Sequence, residues 1–116
     1  MEHRKHPRFS VEFKSSFSSA NTVAGEGTLV DLSLHGCHIA SPTDVKPGTA
    51  MRVRVQISQN EPLLQIDQAV VRWYRAAHFG VEFVTLSEES WARLQRVVKD
   101  LEEQPYKRKP VELDAA

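Results

Sequence analysis

The feature that most restricts the fold of this chain is a series of short segments in which apolar and polar residues alternate. The clearest runs from Met51 to Ser58, where Met, Val, Val and Ile alternate with Arg, Arg, Gln and Ser. Successive side chains of a strand point to opposite faces, so this period predicts a strand with one buried face. Six such segments, spaced roughly 8–12 residues apart, precede residue 87 and predict an all-β arrangement.

One segment, Leu64 to Arg75, does not alternate regularly. Its apolar residues change from even to odd positions at Asp67 and Gln68. A β-bulge at that point, which inserts one extra residue into a strand, restores a single apolar face. This assignment places Trp73 on the same face as Val71 and therefore in the core.

The connections and the last element follow from turn residues and a change of period. Asn21 to Gly27, with two glycines, is predicted to be a turn. Ser87 is a plausible N-cap of a helix, and Glu88 and Glu89 suit the positive end of its dipole. The face that we expect this helix to pack on the sheet recurs at spacings of three and four residues: Trp91, Leu94, Val97, Val98 and Leu101.

These elements predict a mostly β fold, a small six-stranded antiparallel barrel with one C-terminal α-helix. A chain of 116 residues corresponds to one domain. We expect residues 1–8 to form a flexible N-terminal ligand-binding segment, residues 9–104 the barrel and helix, and residues 105–116 a disordered tail. Closure of the sheet into a barrel removes exposed strand edges.

Composition excludes several classes of protein. Fifteen basic and fifteen acidic residues give a formal net charge of +0. Nucleic-acid binding through phosphate neutralisation needs a basic surface, so it is disfavoured. The one cysteine, Cys37, cannot form an internal disulfide and fits a reducing compartment. No run of 18 apolar residues and no signal peptide is present, so we expect a cytoplasmic protein without membrane insertion.

Two short polar motifs carry the chemistry. Arg4 and Arg8 lie four residues apart just before the first strand, and Asp31, Ser33 and Gly36 lie between the second and third strands. A guanidinium group binds phosphate or the O6/N7 edge of guanine through two hydrogen bonds, and it stacks on purine faces. The Asp31 carboxylate can accept from the N–H groups of guanine, and glycine permits close approach of backbone to a ligand. The pattern predicts a nucleotide sensor.

In this order and spacing, Arg-x-x-x-Arg followed by Asp-x-Ser-x-x-Gly resembles the PilZ domain family. Residues 79–83, Phe-Gly-Val-Glu-Phe, are similar to the last strand of that family, and a terminal helix follows in both. The resemblance covers about residues 3–104. It implies a receptor, not an enzyme, that binds cyclic di-GMP on the outside of the barrel and needs no cofactor.

The resemblance also implies which residues bind the ligand. They are Arg4, Arg8, Asp31, Ser33 and Gly36, with His3, Lys5, Trp73 and Gly80 as weaker candidates. A single domain without an output module implies an effector protein in trans, in pathways such as motility or biofilm control. The number of ligands, one or a stacked pair, and the oligomeric state stay open. Structural roles for the Asp31–Ser33 turn and the glycines are compatible with these assignments.

Other functions are considered on specific residues. His35, Cys37 and His38 are metal-ligand types, but a strand would point Cys37 and His38 to opposite faces. Asp31, Ser33 and His35 are the residue types of a hydrolytic triad, yet alternating neighbours in one turn do not form its relay. The alternatives kept are a PilZ-like interaction module that binds no nucleotide and a binder of single-stranded nucleic acid.

Overall fold

The computed structural model of the chain describes residues 7–20 and 23–103. Its elements are β1 (Phe9–Ser18), β2 (Ala24–Leu32), β3 (Gly36–Ala40), β4 (Ala50–Gln56), β5 (Leu64–Arg75), β6 (His78–Thr85) and α1 (Glu88–Glu103). The six strands are antiparallel and close into a barrel in the order β1-β2-β3-β6-β5-β4. The predicted fold class, a mostly β six-stranded barrel with a C-terminal helix, is confirmed.

The barrel interior is filled by the apolar face of each strand. Phe17 and Phe79 meet there edge to face, with ring centroids 5.1 Å apart. Helix α1 packs against β5 and β1 and adds Leu94 and Val98 to the same core. The Ser87 hydroxyl accepts a hydrogen bond from the Ser90 amide at 3.0 Å, which confirms the predicted N-cap.

The expectations for the β2 glycines and for Trp91 are wrong. Gly25 and Gly27 were expected to lie in a turn that precedes the second strand. They lie instead within β2, which begins at Ala24, because each pairs in register with a residue of β1. Trp91 is 36% exposed, so the helix packs mainly through the next turns of the same face. Asn21 and Thr22, which begin the predicted turn, lie outside the described residues.

Two bulges set the orientation of side chains along β5. Against β4, Asp67 and Gln68 lie opposite one residue, which confirms the bulge expected there. Against β6, Arg72 is a second extra residue, between the pairs Val71–Val81 and Trp73–Gly80. This second bulge reverses the alternation, so the prediction that Trp73 lies in the core is wrong.

The connection between β5 and β6 is a tight hairpin with a strained backbone. Its two turn residues, Ala76 and Ala77, have φ angles of 52° and 66°. Two-residue hairpins favour positive φ because the resulting twist matches that of the flanking strands. The turn therefore uses alanine where Asn-Gly is the preferred pair.

Candidate ligand-binding site

The second motif begins at the end of β2, where a bulge turns its carboxylate outward. Leu29 pairs with Ile39 in the core, whereas Asp31 pairs with His38, and Val30 is the extra residue between them. Strict alternation from the buried Leu29 would place Asp31 inside the barrel. The extra residue instead sets Asp31 and His38 side by side on the outer surface.

Asp31 is the centre of a charged cluster. Arg8 Nη1 lies 2.6 Å from Asp31 Oδ1, and His38 Nδ1 lies 3.5 Å from Asp31 Oδ2. The Arg8 side chain is 38% exposed and that of Asp31 is 26% exposed, so both are accessible from solvent. The structure thus brings one arginine of the first motif onto the carboxylate of the second.

His38 connects this cluster to two rings on β5 and β6. Its Nε2 lies 2.8 Å from Nδ1 of His78. The His38 ring also meets the Trp73 indole edge to face, with ring centroids 5.0 Å apart. Arg8, Asp31, His38 and Trp73 therefore form one continuous surface, which we call the Asp31 surface.

The exposed Trp73 indole packs against Gly80. Trp73 pairs with Gly80 across β5 and β6 and remains 42% exposed. A Cβ added to Gly80 would overlap Nε1 and Cε2 of the indole. The glycine allows the tryptophan to lie against the sheet while part of the indole stays exposed to solvent, and an exposed aromatic ring can stack on a base.

Ser33 and Gly36 have structural roles. Ser33 is buried, and its hydroxyl accepts a hydrogen bond from the His35 amide at 3.2 Å and donates one to the Gly36 carbonyl at 3.4 Å. A Cβ added to Gly36 would overlap the carbonyl oxygen of Val81, so glycine is needed where β3 approaches β6. Both residues hold the turn that follows Asp31.

Cys37 lies inside the barrel. Burial, together with the nearby negative charge of Asp31, raises the pKa of the Cys37 thiol far above its ordinary value, and Arg8 partly opposes this shift.

Within residues 7–20 and 23–103, no three His, Cys, Asp or Glu side chains are placed to hold a metal ion. Among these residues, too, no helix combines the length and apolar character that crossing a membrane requires.

Several predicted ligand residues lie outside the described residues, namely His3, Arg4 and Lys5. Their roles stay predictions, as does the assignment of residues 1–8 and 105–116 to flexible segments. His38 and His78 were missed as parts of the site. Their neighbours in sequence gave no signal, because the strand register brings His38 beside Asp31, and His78 joins the site only through its contact with His38.

A groove of about 600 Å³ lies away from the Asp31 surface. It is formed by the β4–β5 connection and helix α1, and Arg93 in this groove pairs with Glu61 at 3.1 Å. None of the motif residues that the structure describes lines it. The groove is therefore a second exposed feature, separate from the predicted ligand residues.

Solved structures with the same fold are known. The inhibitor of motility MotI/DgrA from Bacillus subtilis superposes with a TM-score of 0.68 at 16% identity, over 94% of this chain and 55% of that one. YcgR from Escherichia coli, in complex with c-di-GMP, gives a TM-score of 0.72 at 20% identity, over 91% and 49%. The present chain spans about half the length of these two proteins.

A third structure is matched over nearly its whole length. The PilZ domain of CeSA from a cellulose-synthesizing bacterium gives a TM-score of 0.66 at 17% identity, over 83% of this chain and 98% of that one. No curated protein matches the sequence at a significant level. The sequence profile of the PilZ domain matches residues 2–100. This chain belongs to the PilZ domain family.

Proposed function

We propose that this protein is a receptor for cyclic di-GMP that binds its ligand on the Asp31 surface and signals to a partner protein. The observation that carries the proposal is the contact of Arg8 with Asp31, since it joins the two sequence motifs on one exposed patch. Guanidinium, carboxylate and an open indole face match the phosphate, the guanine edge and the guanine face of this ligand. The structural similarity to YcgR, which was solved in complex with c-di-GMP, supports the choice of ligand.

Each group has a distinct role in the proposed complex. Arg8, with Arg4, binds phosphate and guanine, and Asp31 accepts from the guanine N–H groups. Trp73 provides a stacking face over Gly80. Hydrogen bonds to charged groups contribute about 1.5–3 kcal/mol each, so a few of them support micromolar binding after the cost of ordering the N-terminal segment.

Signalling follows from a shift between two states of this surface. Arg8 is paired with Asp31 at 2.6 Å. A ligand that draws Arg8 onto phosphate and Asp31 onto guanine rearranges this pair. An effector that recognises the rearranged surface reads out the ligand, because the ligand favours that state.

Titration calorimetry with purified protein tests the binding step. We expect saturable heat with cyclic di-GMP, and none with GMP or cyclic di-AMP at the same concentration. Arg8→Ala is expected to weaken binding by about 2–4 kcal/mol. Its effect on stability should stay below about 1 kcal/mol, since the Arg8–Asp31 pair is partly exposed.

Arg93→Ala is the matched control. This substitution also breaks an arginine–carboxylate pair, the one between Arg93 and Glu61. That pair lies in the groove between helix α1 and the β4–β5 connection, away from the described motif residues. This variant should bind cyclic di-GMP like the wild type. Absence of binding by the wild type would refute the receptor function and favour a PilZ-like interaction module. Equal affinities of wild type and Arg8→Ala would refute the site.

A further inference from the structure

The hydrogen bond between His38 and His78 restricts how many protons the two rings hold. His38 Nε2 and His78 Nδ1 are 2.8 Å apart, so one nitrogen donates and the other accepts. With one added proton, the bond is kept and the pair becomes a monocation. A second proton would place a hydrogen on both His38 Nε2 and His78 Nδ1, and the two N–H groups would repel each other. The hydrogen bond therefore allows the pair one added proton and not two.

The surroundings of the pair favour a proton on His38. Its Nδ1 lies 3.5 Å from Asp31 Oδ2, so an imidazolium at His38 forms an ion pair with the carboxylate through one nitrogen and donates to His78 with the other. The charged groups next to the pair are the Arg8–Asp31 and Arg72–Glu82 ion pairs and Arg75, which pairs in register with His78.

A positive charge on His38 affects two groups that are proposed to bind the ligand, Arg8 and Trp73. It shares the Asp31 carboxylate with Arg8, which loosens the hold on Arg8 and leaves that guanidinium available for phosphate. It also adds a cation beside Trp73, the proposed stacking face, where a ligand with two anionic phosphodiester groups would lie. Both effects favour the ligand, and both disappear when the pair is neutral.

We propose that the His38–His78 pair makes nucleotide binding on the Asp31 surface proton-dependent, with His38 as a positioning residue for Asp31 and Trp73. This inference rests on the proposed function and adds its regulation by pH. Affinity for cyclic di-GMP should fall about three- to tenfold from pH 5.5 to 7.5. By linkage, binding at an intermediate pH should take up a fraction of a proton.

Calorimetry in two buffers of different ionisation enthalpy at pH 6.5 measures that proton uptake directly. Wild type is compared with the double variant His38→Gln/His78→Gln, in which glutamine keeps hydrogen-bonding side chains at both positions. We expect lower proton uptake and a flatter pH profile in the double variant. His38→Gln alone is the second variant, and it should show the same change if the double variant fails to fold.

His35→Gln is the matched control. His35 is an exposed histidine of the adjacent turn, and its contact with Ser33 uses the backbone amide. This variant should keep the proton uptake of the wild type, and an equal loss there would overturn the assignment to the pair. Binding of cyclic di-GMP with the same proton uptake in wild type and His38→Gln would overturn this inference and leave the receptor function intact. No binding by the wild type would overturn both.

Discussion

Gly80→Ala should destabilise the protein through one neighbour, the Trp73 indole. A Cβ at residue 80 overlaps Nε1 and Cε2 of that ring, so the indole must leave the sheet. Aromatic side chains bury about 150–250 Å² when fully covered. With Trp73 42% exposed, its covered part corresponds to an upper bound of about 2–4 kcal/mol. Partial displacement should therefore cost about 1–3 kcal/mol.

The same substitution should change sign when the indole is absent. In a Trp73→Ala background the added Cβ meets no ring, and alanine is favoured over glycine within a strand by about 0.5–1 kcal/mol. The Gly80–Trp73 double-mutant cycle should therefore give a coupling of about 1–3 kcal/mol. Urea unfolding followed by circular dichroism measures all four proteins. Equal destabilisation by Gly80→Ala in both backgrounds would refute the outward placement of Trp73 over Gly80.

Three further predictions concern stability and reactivity. Replacement of Ala76-Ala77 by Asn-Gly should stabilise the hairpin by about 1 kcal/mol and raise Tm by about 4–8 °C, because these residues have positive φ; an unchanged Tm would contradict the strain. Ser33→Ala should cost about 1–2 kcal/mol in urea unfolding, since it leaves the His35 amide without its acceptor; a neutral substitution would show that the hydroxyl does not hold the turn. Cys37 should react with a thiol reagent only in unfolding concentrations of urea, because burial raises its pKa; native-state labelling at the unfolded rate would contradict its burial.

The fold could be predicted because alternation and helical period are local properties. Strand β5 was predicted with the bounds that the structure shows, and the bulge at Asp67-Gln68 was visible because apolar residues on both sides changed parity. The bulge at Arg72 could not be predicted in the same way. Trp73 is apolar and has the same parity as Val71, so the sequence shows no change of parity there. The two glycines of β2 were equally ambiguous, because glycine marks turns as well as close contacts inside a sheet.

The candidate site could be predicted in part, for the same reason. Asp31 was identified through its motif. It contacts Arg8 because Arg8 directly precedes β1, and the start of β1 pairs with the end of β2, where Asp31 lies. The neighbours His38, His78 and Trp73 belong to no motif. They meet because β3 lies between β2 and β6, and β6 between β3 and β5, an order that depends on barrel closure.

Two of the bulges in the barrel connect its packing to its surface chemistry. Val30 in β2 and Arg72 in β5 each interrupt an inward pattern, and each is followed by an outward residue, Asp31 or Trp73. Bulges re-aim side chains in this way next to functional sites. Between them β3 and β6 are regular and carry His38 and Gly80 to the same face. The polar centre and the stacking face of the proposed site thus depend on register as much as on the residue types of the two motifs.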